Sequence, residues 1–156
     1  MRTLILLRHA KAANQTLAMP DKDRPLTDRG ERDAERAGEE LRILGLTPEV
    51  VLCSPARRAR RTAELAFPGV QARYEPAIYQ AYPEELLERL RLQDPDHATV
   101  ALCGHNPAVH ELALTLTGGD YGFGPGTFVV IRCAVPWAEL SSGLGELITR
   151  WDPKLD

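Results

Sequence analysis

Short apolar segments alternate with amphipathic segments along this chain, and that alternation limits the possible folds more than any other feature of the sequence. The apolar segments have the length of β-strands, and several are apolar at nearly every position, as in strands that are covered on both faces of a sheet. Six segments are predicted to form strands: Thr3–Leu7, Glu49–Cys53, Val70–Tyr74, Thr99–Cys103, Thr127–Cys133 and Gly145–Trp151.

Four helices are predicted between these strands: Asp28–Leu44, Pro55–Ala66, Pro83–Leu92 and Pro107–Thr117. Thr27 is a suitable N-cap for the first helix, and Gly45 suits its C-terminal end. Strands that alternate with helices predict an α/β domain with a largely parallel sheet. The last two strands have no helix between them and can pair antiparallel, which would make the sheet mixed. Residues 1–156 are predicted to form one domain.

Charge and cysteine content exclude several classes of protein. The net charge is -3, so the overall balance provides no attraction to nucleic acid or to anionic membranes. The three cysteines, Cys53, Cys103 and Cys133, are odd in number and irregularly spaced, which argues against a disulfide framework. No segment has the pattern of a secretory signal or the ~18 apolar residues of a membrane span, so a cytoplasmic location is expected.

Polar residues that suit a phosphate site follow three of the predicted strands. These residues form three segments: Arg8-His9, Ser54-Pro55 and His105-Asn106-Pro107. In α/β sheets, ligands bind beyond the carboxyl ends of the strands. If the three strands are parallel neighbours, the three segments converge at one place.

The second and fourth strands are predicted to lead directly into helices. Ser54 and Asn106 are interpreted as N-caps, and each precedes a proline, which suits the first helical position. The free N–H groups at such helix starts can bind an anion. The helix after the second strand carries four arginines: Arg57, Arg58, Arg60 and Arg61. They point in different directions around the helix, so one or two of them can reach the site.

Two histidines with at least two arginines suit phosphoryl transfer. Arginine forks match phosphate oxygens in a bidentate manner. A neutral imidazole can act as the nucleophile when its other nitrogen is held by a backbone carbonyl. Fixed cations can stabilise the charge of the transition state without a metal, so neither a metal nor a cofactor is expected.

The same segments resemble the motifs of the histidine phosphatase superfamily, which has the phosphoglycerate mutase-like fold. The matching segments are Arg8-His9-Ala10, Ser54-Pro55-x-x-Arg58-Ala59-x-x-Thr62, Gly104-His105-Asn106-Pro107, and Asp23-Arg24-Pro25-Leu26-Thr27 with Gly30. The short length and the form of these motifs are most similar to the SixA-type phosphohistidine phosphatases. The resemblance implies a three-layer α/β/α sandwich with a central, largely parallel mixed sheet, and a metal-independent phosphatase.

The resemblance also implies roles for individual residues. His9 matches the nucleophile that becomes phosphorylated. Arg8 and Arg58 match the arginines that hold the phosphate, and His105 matches a second histidine that contacts the transferred group. The implied reaction is hydrolysis of a phosphoryl group, favouring phosphohistidine in a protein, through a covalent phospho-His9 intermediate.

The chain departs from the family pattern at the general acid. Many superfamily members carry a carboxylic acid after the third strand, but Glu75, Glu84 and Glu85 stand in no matching motif. A phosphoramidate releases an imidazole that can carry its own proton, so it needs less help from an acid than an alkyl phosphate does. Ala10 replaces the usual glycine, which is expected to matter little if its φ is negative.

Three functions remain open at this level. The chain can be a phosphatase for a phosphorylated protein, a small-molecule phosphomonoesterase or mutase of the same fold, or a non-catalytic phosphate-recognition module. The expected partner is therefore a phosphorylated protein or a small phosphorylated substrate, neither a nucleic acid nor a membrane, and the oligomeric state stays open. The width of the pocket is expected to depend on the loop Ala12–Pro25 and on the glycine-rich stretch Gly118–Gly126.

Overall fold

The computed structural model describes residues 1–154, and its helices and strands alternate as the sequence predicts. The strands are β1 (Arg2–Arg8), β2 (Val50–Cys53), β3 (Ala72–Tyr74), β4 (Thr99–Gly104), β5 (Phe128–Cys133) and β6 (Gly145–Trp151). The helices are α1 (Asp28–Ile43), α2 (Arg57–Ala66), α3 (Pro83–Arg91) and α4 (Ala108–Thr117). Each lies within a few residues of its predicted bounds.

The strands form one sheet in the order β3-β2-β4-β1-β5-β6. β4 lies between β1 and β2 and is parallel to both. β5 runs antiparallel to β1, and β6 runs antiparallel to β5. The sheet is therefore mixed and largely parallel, and the predicted antiparallel pairing of the last two strands is confirmed.

Side chains of β1 alternate between two hydrophobic cores, which explains why this strand is apolar at successive positions. Leu4 and Leu6 belong to the core that includes α3 and α4, while Ile5 and Leu7 belong to the core that includes α1 and α2. All four side chains are fully buried. A strand with water on neither face cannot alternate apolar with polar residues. The molecule is thus a three-layer α/β/α sandwich, as predicted.

The capping predictions have mixed outcomes. The Oγ1 atom of Thr27 accepts a hydrogen bond from the N–H of Gly30 at 3.0 Å, which confirms Thr27 as the N-cap of α1. Gly45 follows α1 with a φ of 73°, a left-handed conformation that favours glycine. The predicted starts of the second and fourth helices are wrong, because α2 begins at Arg57 and α4 begins at Ala108.

Ser54 and Asn106 do not cap these helices. Ser54 accepts a hydrogen bond from the N–H of Ala56 at 3.1 Å, one residue before α2 begins. Asn106 donates its side-chain N–H to the carbonyl of Phe123 at 2.9 Å, and the helix after it has no side-chain cap. A short turn therefore separates each strand from its helix. Both polar side chains are free to form hydrogen bonds with residues beyond the carboxyl ends of the strands.

Candidate active site

The carboxyl ends of β1, β2 and β4 border one open cavity of about 360 Å³. Arg8 is the register partner of Gly104, so the residues that follow them, His9 and His105, are neighbours with ring centroids 5.1 Å apart. The cavity is lined by all four of the side chains that were predicted to form the site: Arg8, His9, Arg58 and His105.

The ring of His9 is held in one orientation by the backbone. Its Nδ1 atom lies 2.8 Å from the carbonyl oxygen of Ala10. Since a carbonyl oxygen only accepts, the ring proton is assigned to Nδ1, and Nε2 keeps a free electron pair. Burial lowers the pKa of His9 to about 3, and the positive charges of Arg58 and Arg8 act in the same direction. His9 is therefore a neutral imidazole at neutral pH.

Thr62 connects the backbone at His9 to helix α2. Its Oγ1 atom accepts a hydrogen bond from the N–H of Ala10 at 3.0 Å and donates to the carbonyl of Arg58 at 2.7 Å. Thr62 is fully buried, so water does not compete for these bonds. Ala10, whose carbonyl orients the His9 ring, is thus tied through its N–H to the helical turn that carries Arg58. The sequence motif contained Thr62 but assigned it no role.

Three arginines line the cavity: Arg8, Arg24 and Arg58. Arg8 and Arg58 are each anchored to a loop. Arg8 donates from Nη1 to the carbonyl of Phe123 at 2.8 Å, and burial lowers its pKa. Arg58 donates to the backbone carbonyl of Asp21 at 2.7 Å and to its carboxylate at 3.0 Å. The Nε atoms of Arg8 and Arg58 are buried without a hydrogen-bond partner in the described part of the chain. Two fixed cations with spare donors suit an anionic ligand.

The other arginines of α2 lie outside the cavity, in agreement with the prediction that only one or two could reach it. Arg61 forms ion pairs with Glu31 at 2.8 Å and Glu64 at 3.2 Å. The guanidinium group of Arg60 lies 5.8 Å from the ring centroid of Tyr74. Arg58 alone of the four arginines lines the cavity, because it projects from the buried side of the helix.

His105 is oriented by Ser54. Its Nε2 atom lies 2.7 Å from the Oγ atom of Ser54, which also accepts the N–H of Ala56. Burial lowers the pKa of His105 to about 4, and the nearby charge of Arg58 adds to this effect. The residue that was predicted to cap a helix therefore positions the second histidine, and that histidine is also neutral at neutral pH.

Asp21 lines the cavity, although the sequence analysis did not identify it. It lies in a short 3-10 helix, Asp21–Asp23, within the loop between β1 and α1. Its carboxylate accepts hydrogen bonds from Tyr79 at 2.6 Å, Arg24 at 2.9 Å and Arg58 at 3.0 Å. These donors, Tyr79 foremost, lower the pKa of Asp21 to about 2. The loop was expected to determine the width of the pocket, but nothing in the local sequence showed which of its side chains would turn inward.

The glycine-rich stretch forms the opposite border of the cavity. The carbonyl of Phe123 accepts hydrogen bonds from both Arg8 and Asn106, at 2.8 and 2.9 Å. The N–H of Gly126 donates to the carbonyls of Arg8 and His9 at 3.2 and 3.1 Å. The loop thereby holds the end of β1 in place. Both segments that were expected to shape the pocket do border it.

Comparison with known proteins identifies the family. The sequence profile of the histidine phosphatase superfamily (branch 1) matches residues 4–80. An uncharacterized protein of Mycobacterium tuberculosis is 35% identical over 155 residues, which cover 91% of this chain and 96% of that protein. The chain belongs to the histidine phosphatase superfamily.

Solved structures of this family share the whole fold. A proposed phosphohistidine phosphatase SixA from Nakamurella multipartitia is 32% identical and superposes with a TM-score of 0.90, covering 97% of this chain and 96% of that one. A SixA protein of the same proposed activity from Agrobacterium tumefaciens is 28% identical with a TM-score of 0.84, covering 97% and 98%. The chain thus has a SixA-like fold, and these likenesses support a phosphatase.

No glutamate among residues 1–154 lines the cavity of this histidine phosphatase. Glu75 lies 4.0 Å from Arg89, and Glu85 accepts the N–H of Tyr82 at 3.0 Å near the start of α3. Within residues 1–154, Asp21 is the one carboxylate that lines the cavity, and its low pKa keeps it ionised. The cavity therefore offers a leaving group no carboxylic acid in its protonated form at neutral pH.

The described residues were also compared with the requirements of a metal site and of a membrane-spanning helix. Residues 1–154 contain no group of three or more histidine, cysteine, aspartate or glutamate side chains that could hold a metal ion. Over the same range, every helix is too short or too polar to cross a membrane.

Proposed function

We propose that this histidine phosphatase hydrolyses phosphohistidine in a protein through a covalent phospho-His9 intermediate, without a metal or a cofactor, and that residues 1–156 act as one catalytic domain. The observation that carries the proposal is the hydrogen bond from Nδ1 of His9 to the carbonyl of Ala10. It leaves Nε2 as the nucleophile, in a cavity that also contains the guanidinium groups of Arg8 and Arg58.

In the first step, Nε2 of His9 attacks the phosphorus atom while Arg8, Arg58 and His105 bind the phosphoryl oxygens. The bond between Nε2 and phosphorus forms, and the phosphorus–nitrogen bond of the substrate breaks. The electron pair of that bond leaves with the substrate imidazole. This imidazole departs neutral when its other ring nitrogen already carries a proton.

Phosphorylation makes the His9 ring cationic, since Nδ1 keeps its proton while Nε2 is bonded to phosphorus. The carbonyl of Ala10 accepts from that Nδ1, and a hydrogen bond from an ionised donor is stronger than a neutral one. In the second step, water attacks phosphorus and the Nε2–phosphorus bond breaks. The electron pair returns to His9, and the water proton passes to the released phosphate or to solvent. The ring is again neutral.

The preference for phosphohistidine rests on the lack of a good proton donor among the carboxyl groups of residues 1–154 that line the cavity. An alkyl phosphate releases an alkoxide, which needs a proton from an acid. Asp21 has a pKa of about 2 and is already hydrogen-bonded to Tyr79, so it is a poor proton donor at neutral pH. An imidazole leaving group carries its own proton and does not need one. A positioned acid typically contributes about 10²-fold or more to ester cleavage.

A substrate panel tests this proposal. Phosphate release is measured in EDTA from a phosphohistidine protein, an aryl phosphate and an alkyl phosphate, with wild type, His9→Ala and the control His97→Ala. His97 lies outside the cavity. The expected order of kcat/KM is phosphohistidine above aryl and alkyl phosphate, with the alkyl ester about 10²-fold below phosphohistidine. His9→Ala is expected to lose all three activities, and His97→Ala to keep them.

Other outcomes would assign another function. Equal rates on the alkyl phosphate and phosphohistidine would indicate a phosphomonoesterase, and transfer to an added alcohol would indicate a mutase. Tight phosphate binding with no turnover of any substrate would indicate a recognition module. Activity that EDTA abolishes and His9→Ala retains would contradict the role of His9 altogether.

A further inference from the structure

Three cations beside the cavity form a surface that the proposed reaction does not use. Lys22, Arg57 and Arg60, here called the α2 basic face, are all exposed. Together with Pro55 and Asp23 they line a second, open cavity of about 300 Å³. Within residues 1–154, none of the three forms an ion pair. Their charges are therefore available to an anionic partner.

The α2 basic face adjoins the candidate active site directly. Arg57 precedes Arg58, and Lys22 follows Asp21, and both of these neighbours line the active-site cavity. The Nζ atom of Lys22 lies 5.6 Å from the ring centroid of Tyr79, which lines the same cavity. A macromolecule that placed its phosphoryl group at His9 could reach this face with the surface around that group.

Arg61 lies one helical turn after Arg57, and it differs from Arg57 and Arg60 in its ion pairs. Arg61 is neutralised by Glu31 and Glu64, whereas Arg57 and Arg60 form no ion pair with any residue of 1–154, in a chain of net charge -3. Like charges that are close together repel one another, which destabilises the free protein slightly. An acidic partner would remove that repulsion. A small phosphate in the cavity would not, because its charge is matched by Arg8 and Arg58.

A protein fits this surface better than a nucleic acid. Leu17 is fully exposed in the loop that also carries Lys22, so this loop offers an apolar contact as well as a cation. Protein interfaces combine apolar contacts with a charged rim. Three cations are few for a nucleic acid, whose binding commonly uses many phosphate contacts along a continuous basic stripe.

We propose that the α2 basic face docks an acidic surface of the phosphorylated protein substrate and so determines which phosphoproteins are dephosphorylated. This rests on the proposed function, since it concerns the substrate of the same site. Complementary charge acts mainly on the rate of association and on specificity, and salt weakens it. The preference for acidic substrates therefore depends on ionic strength.

Two phosphohistidine peptides of equal length provide the test, one with glutamates around the phosphohistidine and one with glutamines at the same positions. Wild type is expected to show a kcat/KM about tenfold higher for the acidic peptide at low salt. The variant Arg57→Gln/Arg60→Gln is expected to reduce this ratio to about twofold or less. The control Arg42→Gln/Arg132→Gln removes two exposed arginines that lie outside both cavities and keeps the wild-type ratio.

The ratio of the two kcat/KM values, acidic peptide over glutamine peptide, tests docking separately from the proposed phosphatase activity. If Arg57→Gln/Arg60→Gln kept the tenfold ratio, or if wild type showed none, the docking role would be wrong while the phosphatase stood. If wild type released phosphate from neither peptide nor aryl phosphate, the proposed function would fail. Fluorescence anisotropy with the unphosphorylated acidic peptide would then test docking by itself. Docking predicts binding at least fivefold weaker in Arg57→Gln/Arg60→Gln than in wild type, and equal binding would overturn it. Binding about tenfold tighter to a single-stranded oligonucleotide than to the peptide would also overturn it.

Discussion

At His9, the carbonyl group of the next residue decides which ring nitrogen carries the proton. The sequence placed His9 and Arg8 at the end of the first strand, and the family resemblance identified both as candidates. It could not show that Ala10 would accept from Nδ1, because this contact depends on the backbone conformation after the strand. The hydrogen bonds of Thr62 were equally hidden, since Ala10 and Thr62 are 52 residues apart.

The state of the His9 ring can be observed directly. At pH 5.5, NMR correlation spectra of the ring nitrogens are expected to show His9 as the neutral form with its proton on Nδ1. An exposed histidine, with a pKa of about 6.5, would be mostly protonated at that pH. Burial and the nearby cations lower the pKa of His9 to about 3, which keeps the ring neutral. The spectrum of His9→Asn identifies the signal, and a His9 signal that titrates near pH 6.5 would contradict the structure.

Removal of the Thr62 hydroxyl group is expected to slow turnover. Thr62→Val keeps the shape of the side chain but removes both hydrogen bonds, so Ala10, whose carbonyl orients the His9 ring, is held less firmly. We expect kcat to fall about tenfold with KM changed less than twofold, because misorientation affects the reacting atom more than phosphate binding. Thr62→Ser retains the hydroxyl group and should restore most of kcat. Equal losses in both variants would show that Thr62 only fills space.

Among the elements, strands and helix interiors were predictable, but helix starts were not. The apolar segments and the amphipathic periods led to elements within a few residues of those observed. Ser54-Pro55 and Asn106-Pro107 have the pattern of a cap followed by a first helical residue, yet Ser54 contacts His105 and Asn106 contacts Phe123. Tertiary hydrogen bonds at the cavity thus prevailed over local capping preference.

The contact between α1 and α2 depends on the absence of a side chain at Gly38. A Cβ atom at this position would lie 2.6 Å from the backbone oxygen of Ala66, the last residue of α2. By helix propensity alone, Gly38→Ala would stabilise the protein by about 1 kcal/mol. We expect it to lower the free energy of unfolding by about 2 kcal/mol, because the helices must move apart. Urea unfolding measures the free energy of unfolding of this variant and of the exposed control Glu39→Ala. For the control, this free energy should change by less than about 0.5 kcal/mol. Stabilisation by Gly38→Ala would contradict the close packing.

For the whole molecule, the three-layer fold was predicted from the alternation of strands with helices and from the family resemblance. The convergence of the polar segments that follow three strands was predicted in the same way. The strand order was not predictable from local patterns, because it depends on which strands pair across long stretches of chain. The predicted site residues line one cavity because β1, β2 and β4 are parallel neighbours. Asp21 was missed because its partners Tyr79 and Arg58 come from distant segments.

Stability of the whole molecule is expected to decrease in mild acid because of one buried histidine, His9, and one half-buried histidine, His105. In the unfolded chain His9 and His105 bind protons below a pH of about 6.5, whereas the folded-state pKa values are about 3 and about 4. Between pH 6.5 and 4 the unfolded chain therefore binds more protons, and the free energy of unfolding falls as pH falls. The slope reaches about 1.4 kcal/mol per pH unit for each histidine.

Urea unfolding at pH 7 and pH 5 measures this effect. Wild type should lose about 2 kcal/mol per histidine between these pH values, and His9→Asn/His105→Asn should lose much less. Equal losses in the two proteins would mean that other groups cause the acid sensitivity.

A phosphoryl group that is bonded to Nε2 of His9 during turnover can be trapped on the enzyme. Wild type is mixed with a labelled phosphohistidine protein, quenched in alkali within milliseconds to seconds, digested and analysed by mass spectrometry. We expect one phosphoryl group on the peptide that contains His9, stable in alkali and lost in acid, and none in His9→Ala. Label on another residue, or phosphate release by wild type with no labelled enzyme at any quench time, would contradict this expectation.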